Sequence, residues 1–160
     1  MDATQHLIKL EPVAVELVDD TMLSLARSIS IFQPIISEVV VGDPMALLIV
    51  EFAEDERNEN LKRLEKLEGM MKDLGFGWDK PEEWRGGVVR VEDVRQQSRV
   101  SEMRKSGLNI MMSMKQEAKP VSFVEDCAVE LEYLAEYTDR LTKIFQKYDT
   151  VGTWYAHASV

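Results

Sequence analysis

The run Pro12-Val13-Ala14-Val15-Glu16-Leu17-Val18, followed at once by Asp19-Asp20-Thr21, decides the fold class. Its first part alternates apolar and polar residues over a few positions and predicts a β-strand. The next three residues offer side-chain oxygens for a helix N-cap, and Met22, Leu25, Ala26 and Ile29 then recur at helical spacing. A strand that passes directly into a helix is the unit of a layered sandwich.

The rest of the chain repeats that unit. Gly42-Asp43-Pro44 reads as a turn, and the nearly continuous apolar run Ala46 to Phe52 predicts a central strand. The clearest helix covers 54–74, where Leu61, Leu64, Leu67, Met71 and Leu74 form one stripe and Gly75 marks the stop. A loop over 75–87 carries Trp78, Pro81 and Trp84, whose tryptophans either plug a core gap or sit in an interface. Val88–Val91 predicts a strand and 92–106 a helix ending near Gly107. A strand over 121–129 leads into a helix over 130–148, which carries Leu131, Leu134, Leu141, Ile144, Phe145 and Tyr148 on one face. The last eight residues, Thr153 to Val160, read as a strand. Five strands alternating with four helical segments predict a two-layer sandwich with helices on one sheet face. The other face must then be covered by something else, or bind something.

Composition bounds the function. The chain has 160 residues, of which 45% are hydrophobic and 30% charged. A domain of that size buries roughly 70% of the surface its unfolded chain exposes, so a real core is expected. Lys and Arg number 19 against 29 Asp and Glu, a net charge of −10 that disfavours nucleic acid and anionic lipid. No apolar run approaches the ~20 residues of a transmembrane helix. One cysteine, Cys127, allows no internal disulfide and no cysteine-based zinc cage, and Cys127 itself reads as a small buried hydrophobe. The N-terminus has no leader pattern, so a reducing, cytoplasmic compartment is the expectation. A strand-like aromatic ending suggests a domain cut from a longer protein.

Few residues stand out for chemistry. His157 is the only histidine in a strand context; alternation puts it on one face with Tyr155 and Ser159, opposite Trp154, Ala156, Ala158 and Val160. The plain alternative is a surface histidine with an ordinary hydrogen bond, since one histidine is no metal site. Arg104 could fork onto a carboxylate, or be an exposed helix cation. Glu125 and Asp126 are strand neighbours facing opposite ways, so they read as edge or capping groups. No Gly-rich phosphate loop, Gly-x-Ser-x-Gly elbow or His-Glu-x-x-His occurs.

Three segments, in order, resemble a known family. Met103-Arg104-Lys105-Ser106-Gly107-Leu108 is similar to its Trp-x-x-Arg-Glu-x-Gly-Leu segment, and Val124-Glu125-Asp126-Cys127-Ala128-Val129 to its Glu-Asp-Val-Ala-Val-Pro strand. Tyr155-Ala156-His157-Ala158 resembles the start of its Gly-His-x-Gly-Asp-Gly-Asn-Leu-His motif. Asp43 to Phe52 adds a weaker match, and before Val41 little matches beyond Val15-Glu16-Leu17-Val18-Asp19. The family is the C-terminal, substrate-cap domain of FAD-linked oxidases, in the D-lactate dehydrogenase, glycolate oxidase and D-2-hydroxyglutarate dehydrogenase group of the vanillyl-alcohol oxidase superfamily.

That resemblance implies an α+β, ferredoxin-like two-layer sandwich with an antiparallel or mixed sheet, residues 1–160 forming most of one cap. A separate FAD-binding domain of the same parent chain would hold the flavin, leaving the cap's own flavin contacts unassigned and this chain inactive alone. The parent would oxidise a D-2-hydroxy acid to a 2-oxo acid. Arg104 and Tyr155 would bind the substrate, and His157 would be catalytic and a candidate ligand for a divalent metal such as Zn, with its partner histidine beyond Val160. An iron-sulfur electron-transfer domain and a peripheral association with the inner membrane belong to the same expectation. The sequence departs from the pattern at Ser101 for Trp, Lys105 for Glu, Glu130 for Pro, and Ala158-Ser159-Val160 after the histidine. The competing reading is a stand-alone ferredoxin-like ligand-binding or dimerisation module.

Overall fold

The computed structural model describes residues 1–79, 86–112, 121 and 127–159. Its strands are β1 (Ala14–Asp19), β2 (Ala46–Glu51) and β3 (Tyr155–Ser159), ordered β2-β1-β3 with both pairings antiparallel. The architecture is α+β, as the family resemblance implies. β1 holds the middle, and all but the first of its residues are buried. The apolar run of β2, expected to be central, lies instead at an edge of the described sheet, and its inner residues are only half-buried. Apolar content reported a two-faced environment but not the number of neighbours.

The helices are α1 (Thr4–Leu7), α2 (Asp20–Ser28), α3 (Gln33–Val39), α4 (Arg57–Asp73), α5 (Val94–Lys105), α6 (Gly107–Met112) and α7 (Leu134–Lys147), with short 3-10 turns at Ile8–Leu10 and Leu131–Tyr133. Asp19 caps α2 as expected, its Oδ1 accepting from the Met22 amide at 3.0 Å. α1, α3 and α6 are additions to the sequence reading; each spans too few residues to establish a 3.6-residue period.

Residues Val88–Val91, expected to be a strand, pair with no strand. Both edges of β1 are already occupied. The segment is held by side chains instead: Arg90 grips Glu68 of α4 with two bonds of 2.6 Å, and Val88 packs on the core. Trp78 donates to the Val88 carbonyl at 2.9 Å and lies so close to Gly87 that a Cβ there would fall 2.5 Å from its ring. Of the strand expected over 121–129, the described residues 121 and 127–129 are not in a strand; Glu125 and Asp126, like Pro81 and Trp84, lie outside the described residues. Cys127 is exposed rather than buried, and its hydrogen bond pushes the Tyr137 phenol up.

Alternation along β1 divides the core. Val18 joins Met22, Leu23 and Ala26 of α2, Ile35 and Ile36 of α3, Met103 of α5 and Ile110 of α6, with Tyr155 packed against them. Val15 and Leu17 join Leu7, Leu67 and Ala158, with Leu134 and Trp154 alongside. The sheet face that was to be covered or to bind something is therefore covered, by α1, α4 and Leu134. Glu16 shares the face of Val18, opposite Val15 and Leu17.

Candidate functional site

The buried charge in the middle strand organises the site. Glu16 is only 3% exposed, a position where a carboxylate is unfavourable unless paired. Two partners reach it from distant parts of the chain. Arg104, in the last turn of α5, places both Nη1 and Nη2 3.0 Å from Glu16 Oε1. His157 of β3 brings Nδ1 within 2.7 Å of the same oxygen. The imidazole lies outermost, with its side chain 70% exposed against 22% for Arg104.

Strand pairing explains the meeting. Antiparallel register sets His157 opposite Glu16, and the pairing is irregular between Val15 and Glu16, which face Ser159 and His157 respectively. Ala158, between those two, turns into the second core cluster.

Tyr155 completes the group from the neighbouring register position, opposite Val18. Its hydroxyl donates to the Arg104 carbonyl and ties the C-terminal end of α5 to β3. Gly107 makes room for the ring: a Cβ there would meet Tyr155 Cε1 and Cζ at 2.8 Å. Burial pushes the Tyr155 phenol above its ordinary range; Arg104 opposes the shift and Glu16 adds to it. A raised folded-state value means stability that is complete below the unfolded value, near ~10, and is lost as pH rises through the folded value. Tyr155→Phe is therefore expected to cost about 1 kcal/mol at neutral pH, from the lost hydrogen bond, and to flatten the alkaline loss. Urea midpoints of both proteins from neutral pH to about pH 11 measure the two effects.

The start of β3 is anchored separately. Asp19, 7% exposed, accepts from Thr153 Oγ1 at 2.9 and 2.8 Å and from the Trp154 amide at 2.7 Å, besides capping α2. The Asp19 amide in turn donates to the Trp154 carbonyl. One carboxylate thus fixes where the third strand begins, two residues before the His157 register is set.

The three residues singled out in the sequence, His157, Arg104 and Tyr155, do come together. Glu16, which joins them, stands in the sequence reading only as a residue of the strand over 12–18 and of a weak family match, with no role of its own. Its signal was a lone carboxylate between Val15 and Leu17 in a strand that is apolar on both faces. Among the described residues no group of three His, Cys, Asp or Glu side chains assembles that could hold a metal. His157 offers a single free nitrogen, since Nδ1 is engaged by Glu16, so these residues by themselves do not make a metal site.

The family described as FAD linked oxidases, C-terminal domain, matches residues 1–159. The chain belongs to that family. The match takes in the N-terminal third, where the motifs alone carried little. Among curated proteins, this FAD linked oxidase C-terminal domain is 30% identical over 138 residues to the D-2-hydroxyglutarate dehydrogenase of Pantoea ananatis, covering 82% of the chain and 13% of that protein. It is 31% identical over 142 residues to the protein of that name from Escherichia coli, again covering 82% and 13%. The Pseudomonas putida protein of the same name is 27% identical over 165 residues, covering 98% of the chain and 16% of its own length. The domain thus spans about a seventh of these relatives. No solved structure matches it. No helix among the described residues is long and apolar enough to cross a membrane.

Proposed function

We propose that this domain is the substrate cap of a flavin-dependent dehydrogenase that oxidises a D-2-hydroxy acid to a 2-oxo acid. The observation that carries the reading is the convergence of Arg104, Tyr155 and His157 on buried Glu16, in a chain of this family. The names of the relatives favour D-2-hydroxyglutarate as the acid. A FAD-binding domain elsewhere in the parent chain would hold the flavin, and an iron-sulfur domain would take its electrons onward.

Each residue has a part that its geometry suits. Arg104 donates an Nη1 hydrogen to Glu16, with Nη2 3.0 Å from the same oxygen, and its other Nη hydrogens are left for a substrate carboxylate. Paired with Glu16 it is formally neutralised, so it recognises the carboxylate by hydrogen-bond geometry more than by net charge. Tyr155 fixes the backbone that carries Arg104 and walls the site with its ring. His157 is placed to take the substrate's hydroxyl proton at Nε2 as the C2 hydrogen departs with its electron pair, leaving the C=O of the 2-oxo acid. Bound FAD supplies the hydride acceptor.

The test uses the parent protein extended to its neighbouring domains. Its visible absorption is recorded, and D-2-hydroxyglutarate, D-lactate and glycolate are added in turn without oxygen. A yellow protein bleached by D-2-hydroxyglutarate is expected, with His157→Ala slowing bleaching about 10²–10⁴-fold while the colour is retained. The 160-residue chain alone should stay inactive with added FAD. A colourless parent, or a yellow one that no hydroxy acid bleaches, overturns the reading in favour of a ligand-binding or dimerisation module.

A further inference from the structure

We propose that Glu16 is a positioning residue for His157: its buried carboxylate, balanced by Arg104, holds the imidazole as the Nδ1–H tautomer and turns Nε2 outward. A carboxylate paired with a guanidinium presents acceptors only, so a neutral imidazole 2.7 Å away must bring its N–H on Nδ1. The ring then carries its lone pair on Nε2, across Cε1 from Glu16. With the side chain 70% exposed, that nitrogen faces away from the core.

Three features act together to make this an arrangement rather than a chance contact. Glu16 and His157 are directly opposed across β1 and β3, so their backbones are fixed before the side chains choose rotamers. The pairing runs in regular register from Val18 and Tyr155 through Leu17 and Ala156 to Glu16 and His157, and the irregularity comes only beyond that pair. Arg104 supplies the positive charge that a carboxylate 3% exposed requires, and Tyr155 holds the carbonyl of Arg104. A histidine whose second nitrogen is bound by a carboxylate is fixed in tautomer and ring orientation, whatever its first nitrogen then meets. What Nε2 meets rests on the function proposed above; the tautomer does not.

The chain contains only two histidines, His6 and His157, which makes the tautomer measurable. In the 160-residue chain labelled with ¹⁵N-histidine, long-range ¹H–¹⁵N correlations separate proton-bearing from bare ring nitrogens, and His6→Gln assigns the signals. Spectra are followed upward in pH until both rings are neutral. His157 is expected to show a proton-bearing Nδ1 and a bare Nε2. The double variant Glu16→Leu/Arg104→Met removes the charge and its counter-charge together and should move His157 to the Nε2–H form that an unconstrained histidine favours. Glu16→Gln keeps the shape and offers a weaker acceptor, so it should give a mixture of the two forms. A wild-type His157 with its proton on Nε2 overturns the proposal, as does an Nδ1–H form that survives unchanged in whichever of these variants folds. No flavin or substrate enters this measurement. A parent that oxidises no hydroxy acid therefore leaves the tautomer result standing, and a failed tautomer result leaves the reaction class standing.

Discussion

Arg104→Met is expected to destabilise the domain by about 2–4 kcal/mol, because it strands a buried carboxylate whose remaining partner is the exposed His157. Glu16 is 3% exposed while Arg104 is 22% exposed, so the carboxylate bears most of the desolvation. Removing the cation leaves that cost without its Coulombic return. Adding Glu16→Leu to Arg104→Met should recover most of the loss, since an apolar pair of similar volume replaces both charges. Denaturant unfolding of the wild type, the two single variants and the double variant forms a complete cycle, with a coupling energy of at least ~1 kcal/mol expected. Losses that simply add would mean that Glu16 and Arg104 are independent, contrary to their 3.0 Å contacts.

Asp19→Ala should cost about 2–4 kcal/mol, from a lost helix cap and a set of donors left without their acceptor. One side chain caps α2 at Met22 and also takes the Thr153 hydroxyl and the Trp154 amide. Its loss therefore acts on two elements at once. Asp19→Asn separates them: the amide oxygen can still cap α2, but a single oxygen and no charge serve the three donors less well. The order of stability should be wild type, then Asn, then Ala, measured as urea midpoints at neutral pH. Because Trp154 sits on the anchored segment, its fluorescence, read in a background with Trp78 and Trp84 replaced by Phe, should report loosening of β3 below the global midpoint in the Ala variant. Coincident transitions by fluorescence and circular dichroism would show that β3 is held without Asp19.

Local chemistry was legible in the sequence wherever one short segment determined the outcome. Asp19 as a cap, Gly75 after α4, and the alternation that sets Tyr155 and His157 on one face were all readable from neighbours a few residues apart. Strand order was not. The apolar run of β2 announced burial, yet it lies at an edge of the described sheet, and Val88–Val91 looked like a strand although β1 had no free edge for it. Pairing is a competition among segments, and no segment records the strength of its rivals. The site was half legible for the same reason. His157, Arg104 and Tyr155 could be named one at a time, but Glu16 gains its meaning only from partners 88 and 141 residues away. A carboxylate flanked by Val15 and Leu17 was the available clue, since nothing in its own strand could pair with it.

The position of β1 between an early partner, β2, and a late one, β3, bears on how the chain is made. β2 follows it within about one helix pair, but the residues that bond to its other side lie 134–141 positions downstream. During synthesis at about 5–20 residues per second, that side of β1 waits many seconds with its amides and carbonyls unpaired. Such an edge is a template for the wrong strand, from another nascent chain or another part of the same one. The lone charge of Glu16 in that strand then acts against mispairing as well, because a foreign strand that buries it brings no Arg104 and no His157. Quality control during folding and chemistry after it would draw on one carboxylate.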